Sequence, residues 1–102
     1  MRVMITGFEP FGRENINPSW EACFLLRDYY IQGISIIVPK QPLPVRFGPD
    51  VRLAMSLVQH HRPDIVLVLG QAEGRPVITL ERYAYNRCKD RMNGLHSPLR
   101  LL

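Results

Sequence analysis

The chain has 102 residues, of which 46% are apolar and 22% are charged, a composition typical of one globular domain that excludes a disordered or fibrous protein. The net charge is +4 at pH 7, but residues 1–86 hold nine basic and eight acidic side chains, so most of the excess lies in residues 87–102. Because no predicted helix carries a basic stripe interleaved with aromatic residues, we expect no nucleic-acid partner.

Local signals predict a strand, a helix and a second strand in the first part of the chain. Residues 3–6 form a short apolar run that predicts a buried strand, followed by a loop over residues 7–17. An Asn-Pro pair then precedes apolar residues at helical spacing, which predicts a helix over residues 18–29. Residues 34–38 are mostly β-branched and lie between a glycine and a proline, so they predict the second strand.

The remaining pattern predicts a helix and two further strands. Apolar residues recur at helical spacing over residues 49–62, after a proline-rich loop. Residues 65–69 are apolar without alternation, the pattern of a central strand that helices cover on both faces. Residues 77–85 alternate, which predicts a strand with one less apolar face. This order predicts an α/β fold with an open, mostly parallel sheet and flanking helices.

The strands of such a sheet end at a common edge, where ligands bind in the crevice outside the carboxyl ends. Loops 7–17, 39–47 and 70–76 are therefore expected to converge there. The first of them carries Phe8 and Phe11, which either form the walls of an apolar pocket for a small flat ligand or simply cap the core. It lacks both the GxGxxG spacing and the GK[ST] ending of nucleotide-binding loops, so we do not expect nucleotide binding.

Glu81 is the carboxylate on its face of the predicted fourth strand, and two functions are open for it. A half-buried carboxylate can orient an imidazole in a triad of nucleophile, base and acid. The structural alternative is an ion pair with Arg75 or Arg82.

The two cysteines, Cys23 and Cys88, do not suggest a metal site. They show neither CxxC spacing nor clustering with histidine. Cys23 falls on the apolar face of a predicted helix, and Cys88 lies with His96 in a tail where we predict no strand or helix, so neither is expected to be a nucleophile. We predict no cofactor and no metal. We also predict a cytoplasmic protein. No membrane segment is expected, because no apolar stretch nears about 18 residues.

Four sequence segments resemble the pyroglutamyl peptidase I family, cytoplasmic cysteine exopeptidases that remove N-terminal pyroglutamate. They read TGFEPFG (residues 6–12), NPSWEA (17–22), LPVRF (43–47) and PDIVLVLGQAEGRPVITLERYAYN (63–86). The resemblance covers residues 1–86, which we predict to be the N-terminal half of an α/β domain of this family. Residues 87–102 read as a divergent tail.

The resemblance implies roles for particular residues. Phe8 and Phe11 would form walls of the pocket for the pyroglutamate ring, and Gln71 would contact the ring near its amide. Glu81 would be the acidic member of the triad, and Arg91 would match a family arginine that supports the oxyanion. The implied partners are peptides with N-terminal pyroglutamate, together with further copies of the chain in a homo-oligomer.

The resemblance also predicts what these residues lack. Family members are roughly twice as long, and their nucleophilic cysteine and basic histidine lie in the half that does not match this sequence. Two hypotheses follow: a peptidase as in the family, or a catalytically inactive truncated fragment that acts at most as a binding or subunit-interaction module. Because two predicted helices cannot cover about four strands, we also expect a partly bare sheet and self-association or loose packing.

Overall fold

The computed structural model describes residues 1–72, 74–83, 87–90 and 95–98, with side chains in the first two ranges. The helices are α1 (Pro18–Arg27) and α2 (Pro49–His61). The strands are β1 (Arg2–Thr6), β2 (Ser35–Ile37), β3 (Ile65–Val68), β4 (Arg87–Asp90) and β5 (Leu95–Pro98). The first five elements in chain order are those that the sequence predicts, within a few residues at their ends.

A parallel three-stranded sheet organises the fold, with the order β2-β1-β3. β1 is the central strand, and its Met4, Ile5 and Thr6 are buried. Helix α1 packs on β1 and β2 and contributes the fully buried Cys23 to this small core. The predicted α/β class is therefore confirmed.

The ends of the two helices follow from local chemistry. The Asn17 side chain accepts the Ser19 N–H at 3.0 Å and so caps α1, while Pro18 takes the first helical position, where no N–H donor is needed. Helix α1 ends at Arg27, two residues before the predicted end. Helix α2 ends where Arg62 adopts a left-handed conformation with φ 48°, just before a proline that cannot continue the helix.

The prediction that residues 65–69 form a covered central strand is wrong. β3 pairs only with β1 among the described strands, and its four apolar residues are between 39% and 48% exposed. An unbroken apolar run indicates that a strand can be buried on both faces. The run does not show whether other residues cover the strand. In this structure the described residues leave it exposed. The expected bare apolar surface is therefore present.

The predicted strand over residues 77–85 is also absent from its described part, residues 77–83. Val77, Ile78 and Leu80 are exposed there, Ile78 to 99%. A strand forms only where a neighbouring backbone pairs with it, and no described strand pairs with these residues. The alternating pattern shows only that these residues have a tendency to form a strand.

The expectation that the tail lacks regular structure is wrong as well. β4 and β5 form an antiparallel pair in which Cys88 is the register partner of Ser97 and Lys89 that of His96. Antiparallel pairing through backbone groups does not require apolar and polar residues to alternate along the strand.

Candidate functional site

The carboxyl edge of the sheet brings two of the predicted loops together. The Glu9 N–H donates to the Leu43 carbonyl at 2.9 Å, and the Leu43 N–H donates to the Gly7 carbonyl at 2.8 Å. Phe8 and Leu43 thereby form a parallel bridge. The loops after β1 and β2 are thus hydrogen-bonded to each other, as their expected convergence requires.

The third loop starts beside the first because β3 pairs with β1. Thr6 is in register with Val68, and the Leu69 N–H donates to the Thr6 carbonyl at 2.8 Å. The loops after β1 and β3 therefore leave the sheet side by side. This arrangement places Phe8 and Gln71 on neighbouring loops at one edge.

Phe8 and Phe11 are both half-buried, which leaves part of each ring accessible to a ligand. The Phe8 N–H donates to the Ser19 hydroxyl at 2.9 Å, so this residue is tied to the first turn of α1. The Phe11 carbonyl accepts the Glu14 N–H at 3.2 Å in a turn that includes Gly12 with φ +64°. The two interpretations of these rings, pocket wall or core cap, are each consistent with half-burial.

Asn17 and Ser19 organise the first loop more extensively than a helix cap requires. The Ser19 hydroxyl donates to Asn17 Oδ1 at 2.7 Å, and Asn17 Nδ2 donates to the Glu9 carbonyl at 3.1 Å. Both side chains are buried. The Asn-Pro-Ser sequence indicates the cap, but it does not reveal that the same side chains hold residues 8 and 9.

Gln71 has a buried polar side-chain atom. The residue is half-buried, and its Oε1 atom is buried without a hydrogen-bond partner among the described residues. A buried acceptor without a donor costs about 1–3 kcal/mol. An N–H group of a bound molecule would remove that cost.

Glu81 is an exposed residue that pairs with an arginine. Its side chain is 73% exposed, so the expectation of a half-buried carboxylate is wrong. Its Oε1 atom accepts from Arg75 Nη1 at 2.7 Å, and the same nitrogen donates to the Thr79 hydroxyl at 2.9 Å. The ion-pair alternative is thus observed with Arg75, whereas the Arg82 guanidinium lies over the Tyr83 ring.

The predicted site residues are therefore brought together only in part. No hydrogen bond or ion pair within residues 1–72 and 74–83 joins Glu81 to Phe8, Phe11 or Gln71. Arg91 lies outside the described residues.

Cys23 has the environment of a packing residue. Burial removes solvent from its thiol and raises the pKa above the ordinary value of 9.0. The thiol is therefore neutral and poorly nucleophilic near pH 7. Cys88 lies in β4, where only the backbone is described.

The described residues contain neither a metal-ligand cluster nor a membrane helix. No group of three or more His, Cys, Asp or Glu side chains there could hold a metal ion. No helix in that part of the chain is long and apolar enough to cross a membrane. An open groove of about 440 Å³ lies between α2 and the loop after β2, lined among others by Lys40, Leu57 and His61, and it contains none of the predicted site residues.

Comparison with known proteins identifies relatives of the chain. The family model described as pyroglutamyl peptidase matches residues 1–96, which includes part of the predicted tail. The chain is 52% identical over 86 residues to the pyrrolidone-carboxylate peptidase of Thermococcus onnurineus, an alignment that covers 84% of this chain and 42% of that protein. It is 42% identical over 86 residues to the enzyme of that name from Gloeobacter violaceus, covering 84% of this chain and 41% of the relative.

Solved structures show the same relationship in three dimensions. Pyroglutamyl peptidase I from Bacillus amyloliquefaciens superposes with a TM-score of 0.81 at 37% identity, covering 96% of this chain and 48% of that one. A mutant pyrrolidone carboxyl peptidase from Pyrococcus furiosus superposes with a TM-score of 0.81 at 34% identity, covering 96% and 49%. The chain thus spans about two fifths of the length of these curated relatives and about half of these solved structures.

Proposed function

The chain belongs to the pyroglutamyl peptidase family, and from this we propose that its residues serve the removal of N-terminal pyroglutamate from peptides in the cytoplasm. The observation that carries the proposal is the Gln71 Oε1 atom, which is buried on the loop next to Phe8 without a hydrogen-bond partner among the described residues. A pyroglutamyl ring has an amide N–H that such an acceptor can bind, and it has apolar methylene groups that fit against aromatic rings.

The proposed reaction is covalent catalysis by a cysteine. The thiolate sulfur bonds to the carbonyl carbon of the pyroglutamyl residue while a histidine returns its proton to the departing amine, and water then hydrolyses the thioester and releases pyroglutamate. Backbone N–H groups, with support from Arg91, hold the oxyanion. The cysteine and histidine come from the part of the family fold that these 102 residues do not match.

Glu81 is the proposed acid that orients this histidine. Its observed partner, Arg75, contacts Oε1. A carboxylate has a second oxygen, so Oε2 is available to an imidazole N–H while the ion pair persists. In this proposal the 102 residues alone hydrolyse nothing, and they supply Glu81 and the ring pocket to an active site completed by a second segment.

The exposed apolar strand favours a second candidate function. All four residues of β3 are exposed, although each is apolar. A surface of this kind favours association. The chain would then act as a catalytically inactive module that binds another subunit or a second copy of itself.

Complementation distinguishes these candidates. The chain alone should release no fluorophore from a pyroglutamyl-aminocoumarin substrate, and co-expression with the C-terminal half of a family member should restore release. Glu81→Gln should then lower kcat on the order of 100-fold or more, because the histidine loses its orienting charge. Arg75→Met is the matched control, since it breaks the ion pair and leaves the carboxylate in place.

Three results would contradict the proposal. An unchanged rate in Glu81→Gln would leave this residue as a partner of Arg75 only. Turnover by the chain alone that disappears in Cys88→Ala would show that a second segment is not required. If no complementing half restores activity but the chain still binds it, the interaction module is the correct function.

A further inference from the structure

Glu9 is held by three hydrogen bonds at three different groups. Its N–H donates to the Leu43 carbonyl at 2.9 Å, and its carbonyl accepts from Asn17 Nδ2 at 3.1 Å. Its carboxylate oxygen Oε1 accepts the Val45 N–H at 3.1 Å. The first and third of these bonds connect the loop after β1 to the loop after β2.

Among the bonds that join these two loops, the bond to Val45 is the one that depends on a side chain. In the described part of the chain, the other two links between these loops are backbone bonds, between Glu9 and Leu43 and between Leu43 and Gly7. Pro44 has no N–H. Leu43 and Val45 are therefore the only backbone donors in residues 43–45, and both donate to the first loop.

This arrangement determines where Phe8 lies. The residue is flanked by Gly7 and Glu9, which both bond to the second loop, and its own N–H is held by Ser19. Leu43, its bridge partner, is 2% exposed and cannot shift without disturbing the core. Val45 is 43% exposed. Without the Glu9 carboxylate its N–H would bind water, and in the described part of the chain the hydrogen bonds between the two loops would all be made by Leu43.

We propose that Glu9 is a positioning residue for the ring pocket. Its carboxylate accepts the Val45 N–H, a hydrogen bond that we call the latch. The latch joins the loops after β1 and β2 and so keeps Phe8 in place for ligand binding. This inference rests on the proposed function, since it takes the pyroglutamyl ring as the ligand. It assigns Glu9 no contact with that ring. Loss of the latch should therefore weaken binding more than it slows the chemical step.

The test compares three variants in the complemented enzyme. Glu9→Ala removes the acceptor, Glu9→Gln keeps an oxygen that can accept the Val45 N–H, and Glu14→Ala removes an exposed carboxylate from the same loop. We expect Glu9→Ala to raise KM for the pyroglutamyl-aminocoumarin substrate by up to about tenfold, the most that the loss of one hydrogen bond within the protein can transmit to binding, with kcat changed less than about twofold. Glu9→Gln and Glu14→Ala should stay near the wild-type values.

Hydrogen exchange of the Val45 amide tests the latch separately. In the 102-residue chain, Glu9→Ala should accelerate this exchange about tenfold, whereas Glu14→Ala should leave it unchanged. If exchange does not change in Glu9→Ala, the latch does not exist and the inference is wrong.

The kinetic results separate this inference from the proposed function. An active wild-type complex in which Glu9→Ala and Glu14→Ala have equal KM values overturns the role of Glu9 and leaves the proposed function intact. Equal losses of kcat in Glu9→Ala and Glu9→Gln would mean that Glu9 acts otherwise than as a latch. A wild-type complex without activity overturns the proposed function, and it also overturns the role of Glu9 in positioning the ring pocket.

Discussion

Gly7→Ala is a sharp test of how the site loop is joined to the core. A Cβ atom at this position would lie 2.7 Å from the Ser19 carbonyl carbon and 2.8 Å from both the Ser19 oxygen and the Trp20 nitrogen. Carbon atoms in ordinary contact are about 3.5–4.0 Å apart. All three neighbours are backbone atoms of α1, so no side-chain rotation can relieve the overlap, and the helix must move away by roughly 1 Å.

That movement has a calculable cost. Overpacking of this kind destabilises a fold by about 1–3 kcal/mol. It would also lengthen the 2.9 Å bond from the Phe8 N–H to the Ser19 hydroxyl, which adds about 1 kcal/mol. The sum, about 2–4 kcal/mol, is a large part of the 5–15 kcal/mol that is typical of a domain. Gly7→Ala should therefore lower the urea midpoint by about 1 M or more.

The measurement is urea unfolding followed by the fluorescence of Trp20, the single tryptophan of the chain. Gly70→Ala is the matched control, because a Cβ atom there meets nothing within 4 Å. It should leave the free energy of unfolding unchanged or raise it by up to about 1 kcal/mol. Equal midpoints for Gly7→Ala and Gly70→Ala would refute the close approach of α1 to the first loop.

Three further predictions address the cap, the buried thiol and the bare strand. Asn17→Ala should lower the free energy of unfolding by about 1–2 kcal/mol, whereas Asn15→Ala in the same loop should change it little; equal effects in urea titrations would contradict the capping network. Because burial holds the pKa of the Cys23 thiol above 9.0, the neutral thiol stabilises the fold below pH 9, and this contribution is lost as the pH rises through the folded-state pKa. The urea midpoint should therefore fall above pH 9, and it should fall less in Cys23→Ala. If the urea midpoints of the two chains fall in parallel as the pH rises, Cys23 does not contribute to this loss of stability. The wild-type chain should self-associate, bind the dye ANS and show a broad melting transition. Val66→Lys on β3 should reduce both self-association and dye binding. A monodisperse wild-type monomer with a sharp melting transition would contradict the presence of a bare apolar surface.

The candidate site was predictable where a residue's role depends on its neighbours in sequence. The loop after β1 follows from an apolar run that ends at glycine, and the resemblance singles out Phe8, Phe11 and Gln71 on loops that the sheet places at one edge. Glu9 was missed, because its carboxylate partner, the Val45 N–H, is 36 residues away. No local pattern indicates a hydrogen bond over that separation. For Glu81 the sequence left two partners open, and the structure shows Arg75.

The amino-acid sequence by itself indicated where the first five elements lie, because short-range signals mark their positions: the Asn17 cap, prolines at the helix starts, and apolar runs next to glycine or proline. Only the tertiary structure decided that β1 rather than β3 is central, that residues 77–83 form no strand, and that the tail contains β4 and β5. Strand pairing and burial depend on which backbone and which layer lie alongside. An apolar or alternating segment is equally compatible with a covered and an uncovered position, so its place in the sheet is a property of the whole assembly of elements.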